Sequence, residues 1–318
     1  MGAGLQLGRS RTMTETPYRR VHVVINPASG KDEPILNTLN DVFKDTGVDW
    51  NVSLTKKYGD AKEQARAAIA AGVDLVVGYG GDGTQHEIAN AVLEMAAETG
   101  HQTPMAILPG GTGNGFCREM GVPGTLREAA ALLVGNPNAR SIDVGRLVSI
   151  ASPQASDQHF IQRLYVGIEP EEQTSRELKD KYGLFAYGVS ALERSKTGKH
   201  INFQVLMDGE PAEFEATKIY VVNSGMMGTG LRITHTYSVE DGLLDCFALD
   251  SASRDTAVAA AARFLDLHVD TAMRYFRQLR TLRIVAAPDQ PVWTDGEYIG
   301  RTPVDIEVLP KALTVVVP

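Results

Sequence analysis

The sequence predicts an α/β domain joined to a β domain, a doubly wound and mostly parallel sheet followed by an antiparallel, β-sandwich-like half. Three observations carry that expectation. Apolar runs of strand and helix period alternate up to about Ile142. Beyond it, strand-like runs recur with turn signals such as Asp208-Gly209 and Asp241-Gly242 between them. The Gly-rich segments of the first half all fall where an apolar strand run ends, the edge of a doubly wound sheet that takes ligands.

Val21-His22-Val23-Val24-Ile25 is a short apolar strand closed by Asn26-Pro27. Ile35, Leu36, Leu39, Val42 and Phe43 recur at helical spacing, so Pro34–Phe43 is read as helix. Trp50–Leu54 is strand, and the Ala-rich Asp60–Ala71 is a helix stopped by Gly72. Asp74–Gly78 has the continuous apolar character of a strand buried on both faces, and Thr84–Glu98 follows as helix. Pro104–Leu108 is the next strand, succeeded by a Gly-rich turn and a short helix over Phe116–Met120. In the second half, Arg140–Val148, His159–Val166, Ile201–Met207, Glu213–Val222 and Leu243–Leu249 have strand composition. Helical stretches interrupt them at Glu171–Arg194 and Ala257–Leu279. Leu282–Ala286, Val292–Trp293, Val304–Val308 and Leu313–Val317 close the chain as strands. The expected division is a first domain over residues 18–142, to which the last strand (about 304–318) returns, and a second over 143–303. Residues 1–17 have no apolar core and read as a disordered leader, not a secretory signal.

The 318-residue chain is 43% hydrophobic and 22% charged, a globular composition. A formal net charge of −8 excludes nucleic acid as the main partner, because the basic footprint is missing. The roughly 20 successive apolar residues of a membrane-spanning helix do not occur; the longest candidate, Ala257–Leu267, contains Arg263 and Asp266. A meeting with a membrane would be peripheral. Cys117 and Cys246 are too few for a disulfide framework and lack metal-site spacing, which fits a reducing, cytoplasmic setting.

Three strand-end loops carry the chemistry. In Asn26-Pro27-Ala28-Ser29-Gly30-Lys31, small residues let backbone N–H groups approach an anion. It is not a Walker A loop, since Asp32 stands where a Ser or Thr should follow the Lys. Gly80-Gly81-Asp82-Gly83-Thr84 places three glycines around one carboxylate, more than a structural turn needs. Thr84 is expected to cap the following helix, with Glu87 completing a capping box. Asp82 can act on phosphates through Mg²⁺ or directly on an attacking hydroxyl. Pro109-Gly110-Gly111-Thr112-Gly113-Asn114-Gly115, the third loop, follows the strand that ends at Leu108, with Thr112 and Asn114 as hydrogen-bonding groups. Three such loops at one sheet edge point to a polyphosphate ligand.

These segments resemble the catalytic region of diacylglycerol kinases, sphingosine kinases and related bacterial lipid kinases, over nearly the whole chain from about Tyr18. Asn26–Lys31 is similar to the family's Asn-Pro-x-Ser-Gly-Lys loop, and Gly80–Thr84 to its Gly-Gly-Asp-Gly-Thr signature, which NAD kinases share in related form. The resemblance implies an NAD-kinase/diacylglycerol-kinase-like first domain. It would hold ATP through Asn26, Pro27, Ala28, Ser29, Gly30, Thr55, Gly81, Asp82, Gly83, Thr84, Glu87 and Thr112. Two departures stand out. Thr84-Gln85-His86-Glu87 replaces the Thr-Leu-Asn-Glu of many relatives, and Gly115 follows Asn114 where an Asp is common. His86 reads as a surface or capping residue rather than an acid or base.

Phosphoryl transfer to an alcohol needs a group to take the hydroxyl proton. On residues alone, Asp295-Gly296-Glu297 reads as a tight hairpin turn. The resemblance assigns Glu297 as proton acceptor, with Asp295 as partner or alternative base. Ser238-Val239-Glu240-Asp241-Gly242-Leu243 resembles the family's Mg²⁺-holding segment. Carry-over gives the carbonyls of Ser238 and Leu243 and the carboxylate of Asp241 as ligands, with Glu240 where the family has Asp. Met226-Met227 and Leu184-Phe185-Ala186-Tyr187 can line a lipid entrance or simply pack a core.

The implied activity is ATP-dependent transfer of the γ-phosphate to diacylglycerol or a related lipid at the membrane surface, giving phosphatidic acid or an analogous lipid phosphate. Two alternatives remain beside it: an NAD-kinase-like or other soluble-alcohol kinase, and a non-catalytic nucleotide-binding regulator. The implied setting is cytoplasmic with transient membrane association, and a homodimer is open to such a chain.

Overall fold

The structure, a computed structural model, describes residues 17–29, 32–153, 158–167, 200–224, 226–227, 231–232, 238–249 and 273–318. The first lobe runs β1 (Arg20–Ile25), α1 (Ile35–Phe43), β2 (Asp49–Leu54), α2 (Asp60–Ala70), β3 (Leu75–Gly80), α3 (Asp82–Thr99), β4 (Met105–Pro109), α4 (Gly115–Glu119) and α5 (Leu126–Val134). Its parallel strands lie in the order β2-β1-β3-β4. Strands β3 and β4 are buried along their whole length, which is why their sequences are apolar without alternation. Helix α1 packs with α5, and α2 with α3. Right-handed crossovers running in opposite directions along the sheet put these pairs on opposite faces. The doubly wound arrangement expected from the sequence is what forms.

Helix α5 has no counterpart among the expected elements. Its signal was present nonetheless: Thr125 is the N-cap, its hydroxyl accepting the Glu128 N–H at 3.4 Å and donating to the Glu128 carboxylate at 2.6 Å.

The second lobe comprises β5 (Asn138–Ala151), β6 (His159–Phe160), β7 (Arg163–Gly167), β8 (Ile201–Met207), β9 (Glu210–Ala216), β10 (Lys218–Val222), β11 (Met226–Met227) and β12 (Leu231–Arg232). It continues with β13 (Leu244–Leu249), β14 (Met273–Leu279), β15 (Thr281–Ala287), β16 (Pro291–Thr294) and β17 (Glu297–Val317). Antiparallel pairing gives the path β14-β13-β10-β7-β16-β17, with a β9-β8-β15 branch also joining β17. Strand β17 ties the lobes together. It pairs with β16 and β15 early, with β5 along most of its length, and at Val315 it lies beside Met105 of β4. Its end, Leu313 to Val317, packs into the first core with Ile142 and Val144. Its earlier part, including Val304 and Ile306, packs into a separate second core.

Three expectations are corrected here. Met273–Leu279 is a strand, not the end of a helix, because β13 supplies an antiparallel ladder that local propensity cannot register. Glu213–Val222 breaks at Thr217 into β9 and β10, which pair with different neighbours. His159–Val166 breaks at Ile161-Gln162, whose N–H groups go to the Asp295 carboxylate instead of a ladder. The leader up to residue 16, the expected helix Glu171–Arg194 with Leu184–Tyr187, and residues 257–272 of the other expected helix lie outside the described residues.

Candidate active site

The three Gly-rich loops converge where β1, β3 and β4 end. Asn26 organises the first. Its side-chain oxygen accepts the Ala28 N–H at 3.0 Å, its Nδ2 donates to Thr84 Oγ1 at 3.2 Å, and the Ser29 hydroxyl donates back to its carbonyl at 2.7 Å. Thr55 follows β2 beside it, donating its N–H to the Ile25 carbonyl at 2.9 Å, and is nearly buried. Gly30, expected to contact the nucleotide, lies outside the described residues with Lys31. Close approach dictates the glycines at positions 110 and 111. A Cβ on Gly111 would lie 2.5 Å from the Gly81 Cα, and one on Gly110 would lie 2.8 Å from Ser29 Oγ and from the Tyr79 ring. The loops therefore touch through backbone, leaving N–H groups near any anion bound there. Beneath them, the Tyr79 hydroxyl donates to Glu33 at 2.7 Å. Burial and the Glu33 hydrogen bond push that hydroxyl well above the ordinary range for tyrosine.

Asp82 opens α3 and faces the third loop. Its oxygens accept the Gly115 and Phe116 N–H groups, each at 3.0 Å. The carboxylate thus fixes that loop, and each oxygen keeps a lone pair for a phosphate-bound cation. Gly81 and Gly83 flank it, half-buried, while Thr112 is exposed at the loop's tip. The expected capping box does not form. The N-cap of α3 is Gly81. Thr84 is instead taken by Asn26, and Glu87 reaches across to α2, accepting the Ala61 and Lys62 N–H groups at 3.1 and 3.4 Å. Glu87 caps a neighbouring helix, not its own.

On the second lobe, Asp295 and Gly296 both have positive φ, 48° and 100°, as a two-residue hairpin turn between β16 and β17 requires. The tight hairpin turn read from the residues alone is what forms. Glu297 opens β17, half-buried, opposite Thr294. The Asp295 side chain is fully buried and heavily used. It accepts the N–H groups of Ile161 at 2.8 Å, Gln162 at 3.0 Å and Arg163 at 2.8 Å, and contacts His86 Nδ1 at 2.9 Å. Burial works to raise this carboxyl, but the His86 contact and the backbone donors outweigh it and hold it below the usual carboxylate range. His86 is accordingly corrected from a surface or capping residue: its side chain is 0% exposed and joins the lobes. Asn90, one turn on, exchanges hydrogen bonds with the backbone of His159 at 3.2 Å each way. A polar pair at i and i+4 on a buried helix was the signal available in the sequence.

Ser238, Asp241 and Leu243 sit in the turn before β13. The Asp241 carboxylate accepts the Leu243 N–H at 2.9 Å. Sequence reading missed its neighbour Asp143, a fully buried acid in β5 that accepts the Gly242 and Lys311 N–H groups at 2.7 and 2.8 Å. Burial, and then the Asp143 charge, push the Asp241 carboxyl up. Two neighbouring acids of this kind suit a hard divalent cation. Among the described residues no group of three or more His, Cys, Asp or Glu side chains converges, so a cation here would rely on main-chain oxygens and water.

Helix α3 thus links the Gly-rich loops of one lobe to the acidic hairpin of the other. The Diacylglycerol kinase catalytic domain family matches residues 20–147, and the YegS C-terminal NAD kinase beta sandwich-like domain matches residues 164–317. The chain belongs to the diacylglycerol kinase type family. Among its relatives, the diacylglycerol kinase of Bacillus subtilis is 25% identical over 305 residues, covering 94% of this chain and 97% of that protein. The diacylglycerol kinase of Staphylococcus saprophyticus is 24% identical over 295 residues, covering 90% and 91%. A crystal structure of a diacylglycerol kinase from Bacillus anthracis has a TM-score of 0.74 at 25% identity, covering 95% of this chain and 98% of that one. Membership of this kinase family supports a kinase activity that uses ATP. No helix among the described residues is long and apolar enough to cross a membrane.

Proposed function

We propose that this chain transfers the γ-phosphate of ATP to the hydroxyl of diacylglycerol or a related lipid, releasing ADP and phosphatidic acid or its analogue. The observation that carries this reading is the 2.9 Å contact between His86 and Asp295, which sets the acidic hairpin against the helix that opens in the phosphate cradle. In this reading Asn26, Pro27, Ala28, Ser29, Gly30, Thr55, Gly81, Gly83, Thr84 and Thr112 surround the nucleotide. Asp82 holds the third loop in place, and Glu87 acts through the start of α2. Glu297 takes the acceptor's proton as the hydroxyl oxygen bonds to the γ-phosphorus and the bond to the β,γ-bridging oxygen breaks. Asp295, with both oxygens occupied by donors, positions Glu297 rather than replacing it. Bound Mg²⁺ neutralises phosphate charge; a separate structural cation would sit at Ser238, Leu243 and Asp241. The lipid acceptor rests on what the relatives' names say of them, and it brings the chain transiently to a membrane surface.

The test offers radiolabelled ATP and a mixed lipid extract to the full chain and identifies the labelled product by mass. A labelled lipid phosphate is the expected result; label on NAD or another soluble alcohol alone would replace the lipid reading. Glu297→Gln should lower kcat by roughly a hundredfold or more while ATP binding persists, and retention of most activity would remove Glu297 from the base role.

A further inference from the structure

Helix α3 starts in the phosphate cradle, and His86 and Asn90 then turn toward the second lobe while Glu87 and Glu94 turn toward α2. Three of the hydrogen bonds to Asp295 come from Ile161, Gln162 and Arg163, all within the second lobe. The bond from His86 comes from the other lobe. We propose that His86 is a positioning residue whose Nδ1–H bond to Asp295 fixes the reach between the nucleotide cradle and Glu297, an assignment that rests on Glu297 being the base.

The chemistry of the contact is one-sided. An ionised carboxylate only accepts, so the ring carries its hydrogen on Nδ1 toward Asp295. Asn90 Nδ2 lies 3.4 Å from the other ring nitrogen and is itself oriented by the His159 backbone at 3.2 Å. The tautomer and the ring plane are thereby set from both lobes. With both side chains 0% exposed, water has no access to substitute for a lost donor. The turn that Asp295 heads, with positive φ at both residues, leads directly into Glu297. Loss of the bond frees that turn to tilt relative to α3, and displacement of a reacting group by about 1 Å can cost a hundredfold in rate.

The experiment compares His86→Leu, His86→Asn and Glu297→Gln in the full chain, measuring kcat, KM for ATP, ATP affinity by titration, and melting temperature. Asn places an amide N–H close to where Nδ1–H lies; Leu fills the space without a donor. The expected result is a kcat reduced about tenfold to a hundredfold in His86→Leu, ATP affinity within about threefold of the parent, and recovery of most of that kcat in His86→Asn. If His86→Leu does not fold, His86→Gln takes its place, since its donor sits one bond farther out and the same split is expected. A full kcat in the donor-less variant would overturn the proposal. So would an equal fall in both substitutions, or a loss of ATP binding that accounts for the whole effect. An active Glu297→Gln would instead refute the base assignment beneath it, whatever the His86 variants do.

Discussion

The contacts that make Asp295 stabilising are the same ones through which it is proposed to position Glu297. Its four hydrogen bonds leave it depressed below the ordinary carboxylate range. A depressed acid stabilises the fold above its unfolded pKa of about 3.9, and that contribution is lost as pH falls through the lower folded value. Asp295→Asn should therefore cost about 3 kcal/mol at pH 7 and flatten the dependence of stability on pH below about 4; urea midpoints at pH 7 and pH 3 check both. Gly111 makes a second residue-scale case. A methyl there would meet the Gly81 Cα at 2.5 Å, a backbone atom that cannot step aside. Gly111→Ala should raise the KM for ATP roughly tenfold, the scale of an overpacking cost, with kcat at saturation less affected. These glycines were legible as a group in the sequence, but which loop touches which was not.

At the scale of elements, α3 is the organiser. It is buried nearly all round from Thr84 to Leu93, so each polar side chain there has an assigned partner in another element. Glu87 closes the N-terminus of α2, whose own N-cap, Gly59, offers no side chain. Lys62 and Arg66 of α2 then pair with Glu94 at 2.7 and 3.1 Å. Glu87→Ala should cost about 1 kcal/mol, as loss of a helix cap does, and protection of the Ala61 and Lys62 amides against hydrogen exchange should fall first. A local sequence pattern suggested that Glu87 capped α3 itself. The error has a physical source: capping needs only a carboxylate near free N–H groups, and the fold brought a different set closer.

For the whole molecule, β17 decides the behaviour. It gives side chains to both hydrophobic cores and hydrogen bonds to strands of both lobes. The two tryptophans divide between the lobes, Trp50 packed on Phe43 in the first and Trp293 stacked with Tyr165 in the second. Thermal melts followed by fluorescence in Trp50→Phe and Trp293→Phe variants should give coincident transitions, because the shared strand cannot leave one core and stay in the other. Midpoints separated by several degrees would show lobes that unfold independently.

The chain's own sequence determined the doubly wound first half, the β-rich second half and the three Gly-rich loops at the strand ends, because each follows from a local period or from glycine's freedom. It also held the Asp-Gly-Glu turn, although turn chemistry alone could not distinguish a hairpin from a site. Tertiary structure decided the rest. Met273–Leu279 became a strand because β13 lay beside it. Asp143 joined Asp241, and His86 met Asp295 across 209 positions of chain. Such contacts depend on which buried polar groups find one another once the cores have closed, and no window of sequence contains both partners.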